Sequence, residues 1–107
     1  MKLINATEHP IRIVHEDGTL ITEIPPSGIV IRLLSSTVVP VDTFDGIPIT
    51  KTYFKTPTNM PQEKDGVYYI VSQMIKNAFP QREDLLVPTQ MVRDENDTIV
   101  GAQSLGI

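Results

Sequence analysis

The sequence predicts an α+β fold dominated by β-strands: an antiparallel sheet of short hairpin strands followed by a C-terminal strand–helix–loop–hairpin unit. Nine prolines and six glycines divide the 107 residues into short apolar runs, a pattern typical of β-rich domains. A convincing helical pattern occurs once, in the C-terminal third. The length is that of one ordinary domain, so we expect a single domain covering residues 1–107.

The N-terminal half of the chain reads as a succession of strands. Asp17-Gly18 is a strong hairpin-turn signal between two β-branched runs, and Asp45-Gly46 marks a second turn. Pro40 cannot donate to a ladder and places its strand toward a sheet edge. The predicted strands cover residues 11–15, 19–24, 28–34, 37–41 and 47–54.

The C-terminal third changes character. A polar, proline-bearing stretch at 56–66 predicts a loop and a candidate flap, and 67–71 is the densest strand signal, hence a central strand. Ser72 is the expected N-cap of a helix over 73–79, which Pro80 ends. A polar loop follows, and then a hairpin formed by residues 89–92 and 98–102.

Composition excludes several classes of protein. There is no cysteine, which removes disulfides, zinc–thiolate sites and cysteine nucleophiles and fits a reducing cytosol. A net charge of -4 disfavours a DNA or RNA polymer as partner. No apolar run has the length of a secretory signal or a membrane span. We therefore expect a cytoplasmic protein with no membrane partner.

The residues offer little for catalysis. His9 and His15 do not have the helical spacing of a metal-binding pair, and surface histidines flanking a strand explain them more simply. Most carboxylates fall in predicted turns, where they cap backbone groups. The chain has no glycine-rich phosphate loop and no serine elbow. We expect no enzyme activity, no cofactor and no metal site.

The C-terminal unit carries residues suited to binding. Arg82 and Arg93 are each followed by acidic residues, which leaves two interpretations open. Each arginine either pairs with its neighbouring carboxylate and orders a turn, or presents its planar fork to phosphates while an acid such as Asp84 orients it. Tyr68 and Phe79 are the candidates for stacking on a base, although Phe79 is at least as well explained as a core residue.

Several motifs resemble a family of small phage and prophage proteins. They are a strand ending in Tyr-Ile-Val-Ser at 69–72, Arg-x-Asp-Leu-Leu-x-Pro at 82–88, Val-Arg-Asp at 92–94 and Ile-Val-Gly at 99–101. The N-terminal half adds Asn-Ala-Thr-x-His-x-Ile at 5–11 and Pro-Pro-Ser-Gly at 25–28. Through this family the chain is similar to the phage Thoeris anti-defence sponges, which sequester cyclic ADP-ribose isomers without catalysis. Some sponges form hexamers that take up cyclic oligonucleotides.

The resemblance implies a binding site for a cyclic nucleotide immune signal in the cytosol of an infected bacterial host. Arg82 and Arg93 would hold phosphates, an aromatic residue such as Tyr68 or Phe79 would stack on adenine, and Asn77 or Gln90 would meet a base or ribose edge. A chain of this size builds only a modest core, so we expect a homo-oligomer, a dimer or a hexamer, with the pocket between subunits. The alternatives are a structural or accessory component of the virion and a cyclic-nucleotide hydrolase.

Overall fold

The computed structural model describes residues 1–32, 36–54 and 60–107. The described residues confirm the predicted class: a β-dominated α+β fold with eight strands and one short helix. The strands are β1 Lys2–Asn5, β2 Ile11–Val14, β3 Leu20–Ile24, β4 Ser36–Phe44, β5 Ile47–Phe54, β6 Val67–Ile70, β7 Leu85–Arg93 and β8 Ile99–Gly106. The helix α1 covers Gln73–Ala78, between β6 and β7.

Six strands form one sheet in the order β1-β6-β7-β8-β2-β3. The pairs β2–β3 and β7–β8 are antiparallel, as the hairpin signals predict. The pairs β1–β6, β6–β7 and β2–β8 are parallel, so the sheet is mixed rather than antiparallel throughout. Hairpin turns specify antiparallel neighbours, whereas parallel neighbours come from distant parts of the chain and leave no local signal.

The strand β6 lies inside the sheet, second from its edge, with β1 on one side and β7 on the other. Its two tyrosines point to opposite faces, since Tyr69 is buried in the core while Tyr68 is half-buried. Ser72 caps α1, accepting a hydrogen bond from the backbone N–H of Ile75 at 3.4 Å. Ile75 then packs into the core over one face of the sheet. The buried residues of this core are Ala6, Ile31, Tyr69, Val71, Ile75, Leu85 and Val87.

Some elements differ from the expectations. Residues 28–32 do not form the predicted third strand; Ile31 instead donates its backbone N–H to Ala6 O at 3.0 Å and buries its side chain in the core. The rest of that predicted strand, 33–34, lies outside the described residues, as do residues 56–59 of the candidate flap. The strand β1 was not predicted, and β8 runs on to Gly106 rather than ending at residue 102.

The strands β4 and β5 form a separate two-stranded sheet, here called the arm. They pair in antiparallel register from Ser36 opposite Phe54 to Phe44 opposite Ile47. The turn is made by Asp45 and Gly46, both with positive φ, as the Asp-Gly signal predicts. Every side chain described between residues 37 and 53 is exposed, so the arm stands clear of the six-stranded sheet.

Candidate functional site

The loop between α1 and β7 is organised by one arginine. Arg82 donates from Nε and Nη2 to the two carboxylate oxygens of Asp84, at 2.7 Å each. Its Nη1 donates to the backbone O of Pro61 at 3.0 Å, and Glu63 Oε1 lies 3.2 Å from Nε. The side chains of Arg82 and Asp84 are only 15% and 9% exposed. Arg82 therefore joins its own loop to the segment that precedes β6.

Both members of this pair stay charged across the ordinary pH range. The hydrogen bonds from Arg82 lower the pKa of Asp84 below its usual 3.8, although partial burial acts in the opposite direction. The same hydrogen bonds raise the pKa of Arg82 above its usual value. The simpler of the two interpretations, an arginine that orders its loop by pairing with a neighbouring carboxylate, is what this geometry shows for Arg82.

Three shallow clefts lie around the Arg82–Asp84 pair. Their volumes are about 480, 520 and 210 Å³, and two of them fall within the range of small-molecule sites. The first is lined by Phe79 and Arg82, the second by Asn77 and Arg82, and the third by Tyr68 and Asp84. Glu63, Pro80 and Glu83 are shared between neighbouring clefts. The structure thus brings five of the seven predicted ligand residues to one surface.

Phe79 and Asn77 differ in burial and in their contacts with the rest of the chain. Phe79 is half-buried and packs against the core, which leaves part of its side chain on the cleft. Asn77 is exposed, and its Oδ1 accepts a hydrogen bond from Gln73 Nε2 at 2.9 Å. Its amide nitrogen has no partner within the described part of the chain. Asn77 therefore has a donor available for a ligand.

The charge around these clefts is slightly negative. Their lining holds four carboxylates and three cations. The carboxylates are Glu63, Asp65, Glu83 and Asp84, and the cations are Lys64, Lys76 and Arg82. Lys76 is already engaged, since its Nζ donates to Leu85 O at 3.1 Å. A phosphate bound here needs further positive charge from outside the clefts.

Gln90 and Arg93 lie away from the Arg82 clefts. Gln90 has positive φ and accepts a hydrogen bond from Ser104 Oγ through Oε1 at 2.9 Å. Arg93 ends β7, donates to Asp97 O at 2.8 Å and orders the β7–β8 turn. Asp84 precedes the same strand, whose nine residues span roughly 30 Å at about 3.3 Å each. Within one chain, a single nucleotide cannot contact both arginines.

A second surface was not identified from the sequence. A groove of about 260 Å³, here called the sheet groove, opens where β2 and β8 diverge beside β7. It is lined by Pro10, Ile11, Arg12, Pro88, Met91, Ile99, Val100, Gly101 and Ala102. Arg12 is exposed, and its side chain has no hydrogen-bond or ion-pair partner among the described residues. The groove depends on the parallel pairing of two strands that are distant in the chain, and no local sequence pattern predicts such a pairing.

Within residues 1–32, 36–54 and 60–107, no three histidine or carboxylate side chains come close enough to hold a metal ion. Nor does that part of the chain contain a helix long and apolar enough to cross a membrane.

Comparison with known proteins does not assign the chain to a family. No family model matches the chain, and no curated protein or solved structure shows significant similarity to it. The resemblance to small phage proteins is thus a sequence-based expectation.

Proposed function

We propose that this chain is a non-catalytic binding protein that sequesters a cyclic nucleotide signal in the cytosol of an infected bacterial host, acting as a homo-oligomer. The ligand class is a cyclic ADP-ribose isomer or a cyclic oligonucleotide. The observation that supports this proposal is the clustering of Asn77, Phe79, Arg82, Asp84 and Tyr68 around contiguous clefts. An aromatic ring, a free amide donor and a guanidinium are the groups that a base and its phosphates require.

Each of these residues has a role compatible with its contacts. Phe79 offers a ring face for stacking on adenine, and the free amide of Asn77 donates to a base edge. Three of the five N–H groups of Arg82 are used by Asp84 and Pro61. The remaining two can donate to a phosphate without breaking the pair with Asp84. Arg82 therefore both orders the loop and contributes to the site.

The acidic balance of the clefts supports a site that is completed by a second subunit. Four carboxylates against three cations repel a dianionic ligand, whereas one arginine from a partner chain neutralises that balance and two reverse it. Arg12 and Arg93 are exposed and lie outside the clefts. Arg93 can supply the missing charge from a neighbouring copy.

Isothermal titration calorimetry against cyclic ADP-ribose isomers and a cyclic trinucleotide tests the proposal. The protein–ligand mixture is then boiled and the released ligand is examined by chromatography. A sponge gives saturable heat and returns the ligand intact. Product that accumulates with time indicates the hydrolase alternative instead, and no heat with any of these nucleotides overturns the proposal.

A second candidate function, a structural or accessory component of the virion, is favoured by the exposed arm. An amphipathic two-stranded arm standing clear of the domain is a feature of proteins that assemble through it. This candidate predicts oligomers that ignore nucleotides and a copy of the chain in purified phage particles. Mass spectrometry of purified particles decides between the two functions.

A further inference from the structure

The arm has two chemically different faces. The register of β4 and β5, including a bulge between Pro40 and Asp42, places alternate residues on each face. One face, here called the apolar face, carries the large apolar side chains Val39, Phe44, Ile47, Ile49 and Tyr53. The opposite face carries Val38, Pro40, Thr43, Pro48, Thr50 and Thr52.

The apolar face lacks a cover within the described chain. Phe44 and Ile47 are 65% and 61% exposed, and the other members of the face are exposed as well. The two charged residues on this face are Asp42, opposite Ile49, and Lys51, whose ammonium lies 5.3 Å from the centre of the Tyr53 ring. An isolated two-stranded hairpin is marginally stable in water. The arm therefore needs a surface to pack on.

The chain exposes more surface than a compact monomer of its size. Its accessible surface is 7542 Å², whereas a compact monomer of this size exposes about 6,000 Å². The excess is roughly 1,500 Å² per chain, so two chains together have about 3,000 Å² of extra surface that an exchange could cover. Contacts of that size are typical of obligate dimers.

The sheet groove offers a matching seat. Its lining is mostly apolar, and two of its side chains, Met91 and Ile99, are about half-exposed. Arg12 lines it as well and has no side-chain partner among the described residues. The arm carries Asp42 and Asp45 near its tip. The arm and the groove are thus complementary: both are largely apolar, and the acidic tip of the arm matches the arginine of the groove.

We infer that the arm of one chain packs, apolar face down, into the sheet groove of a second copy, and that the exchange is reciprocal. The excess area and the presence of both complementary surfaces on one chain identify a second copy as the occupant. Because this exchange brings β2 and the β7–β8 hairpin of one copy beside the other, it also defines which elements lie at the subunit boundary. The inference does not depend on the ligand.

Sedimentation velocity of the full chain and of matched variants tests this inference. Ile47→Glu places a charge on the apolar face, and Thr50→Glu places the same charge on the opposite face of the same strand. Met91→Glu places a charge in the sheet groove. We expect the wild type and Thr50→Glu to be oligomers, and Ile47→Glu and Met91→Glu to associate on the order of tenfold to a hundredfold more weakly.

Mixing the two defective variants discriminates between arm-in-groove packing and arm-on-arm packing. The Met91→Glu chain keeps an intact arm and the Ile47→Glu chain keeps an intact groove, so their mixture regains one of the two contacts and forms a heterodimer. Circular dichroism of each variant reports whether the fold is retained. A monomeric wild type, or Met91→Glu that associates as the wild type does, overturns the inference. Nucleotide binding by calorimetry is a separate measurement, so failure of the arm exchange and failure of the nucleotide site are distinguishable.

Discussion

Arg82 and Asp84 share two parallel hydrogen bonds of 2.7 Å, a fork-to-fork pair only two residues apart in the chain. The third contact of the guanidinium, to Pro61 O at 3.0 Å, reaches a segment twenty-one residues earlier. The pair therefore holds the loop before β7 against the segment before β6, and the clefts lie around this junction. Arg82 is therefore a structural residue as well as a candidate ligand contact.

Replacing Arg82 by Ala should destabilise the protein by about 3 kcal/mol, because it leaves the mostly buried carboxylate of Asp84 without its partner. Arg82→Lys keeps the charge but not the planar fork, so its stability should lie between those of the wild type and Arg82→Ala. Urea denaturation measures the effect. Arg93→Ala is the control, since that side chain is 51% exposed and its loss should cost less than about 1 kcal/mol. Equal stability of Arg82→Ala and the wild type would contradict this role.

The stability contributed by Asp84 should depend on pH. Arg82 lowers the pKa of Asp84 in the folded state below the usual 3.8, so the unfolded chain takes up a proton there at higher pH than the folded one. This stabilisation is fully present above that usual value and is lost as the pH falls through the lower folded pKa. The difference in unfolding free energy between the wild type and Asp84→Asn should therefore shrink as urea titrations move into the acid range. A constant difference down to the most acidic condition would argue against it.

Phe79→Ala should weaken nucleotide binding by about tenfold or more, since stacking on a base contributes about 1–3 kcal/mol. Phe79→Tyr keeps a ring and should retain most of the affinity. Asn77→Ala removes one donor and should cost about fivefold. Met74→Ala, on an exposed position of the same helix, is the matched control. Calorimetry measures the nucleotide affinity of all four variants. If Phe79→Ala binds as tightly as the wild type, Phe79 does not contact the nucleotide.

Arg93 should contribute to binding only from a second subunit, because it lies at the far end of β7 from the Arg82 clefts. In the oligomer, Arg93→Ala should lower the affinity by about tenfold, the contribution of a charge-assisted hydrogen bond. The same change in a chain made monomeric by Ile47→Glu should have no further effect. An unchanged dissociation constant for Arg93→Ala in the oligomer would exclude this arginine from the site.

Asn5→Ala should destabilise the fold by about 3 kcal/mol, because the buried side chain forms hydrogen bonds with the segment after β1 and with the end of β3. Its Nδ2 donates to His9 O at 2.8 Å and Ile24 O at 3.0 Å. Its Oδ1 accepts from Thr7 N at 3.0 Å and Thr7 Oγ1 at 2.6 Å. A second Asn-x-Thr triplet, at 96–98, begins with Asn96, which lies exposed in a turn, so Asn96→Ala should change the urea midpoint little. Comparable losses for both variants would contradict this difference.

Local chemistry made several elements predictable. Asp17-Gly18 and Asp45-Gly46 supply positive-φ turns, so the two hairpins around them follow from short-range sterics. Ser72 and Pro80 bracket α1 for the same kind of reason. The alternation of Tyr68 and Tyr69 between sheet faces follows from the strand period alone. The gathering of Asn77, Phe79, Arg82 and Asp84 also follows from the sequence, because they are close along the chain.

Other features had no local signal. The pairing of β1 with β6 joins residues more than sixty positions apart, and that of β2 with β8 joins Ile13 to Ala102. Asn5 is buried because several segments converge on it, and its triplet looks no different from the exposed one at Asn96. Residues 28–32 contain a β-branched apolar run typical of a strand, yet they form no strand, and Ile31 donates its backbone N–H to Ala6 O instead.

The sequence by itself determined the β-rich class, the turns, the helix ends and the clustering of candidate ligand residues around the end of α1, because each depends on dihedral preferences or on neighbours a few positions away. Tertiary structure decided the mixed strand order, the separation of Arg82 from Arg93, the sheet groove and the exposure of the arm. These depend on which distant segments meet, and that is set by the burial of apolar surface over the whole chain rather than by any short stretch of it.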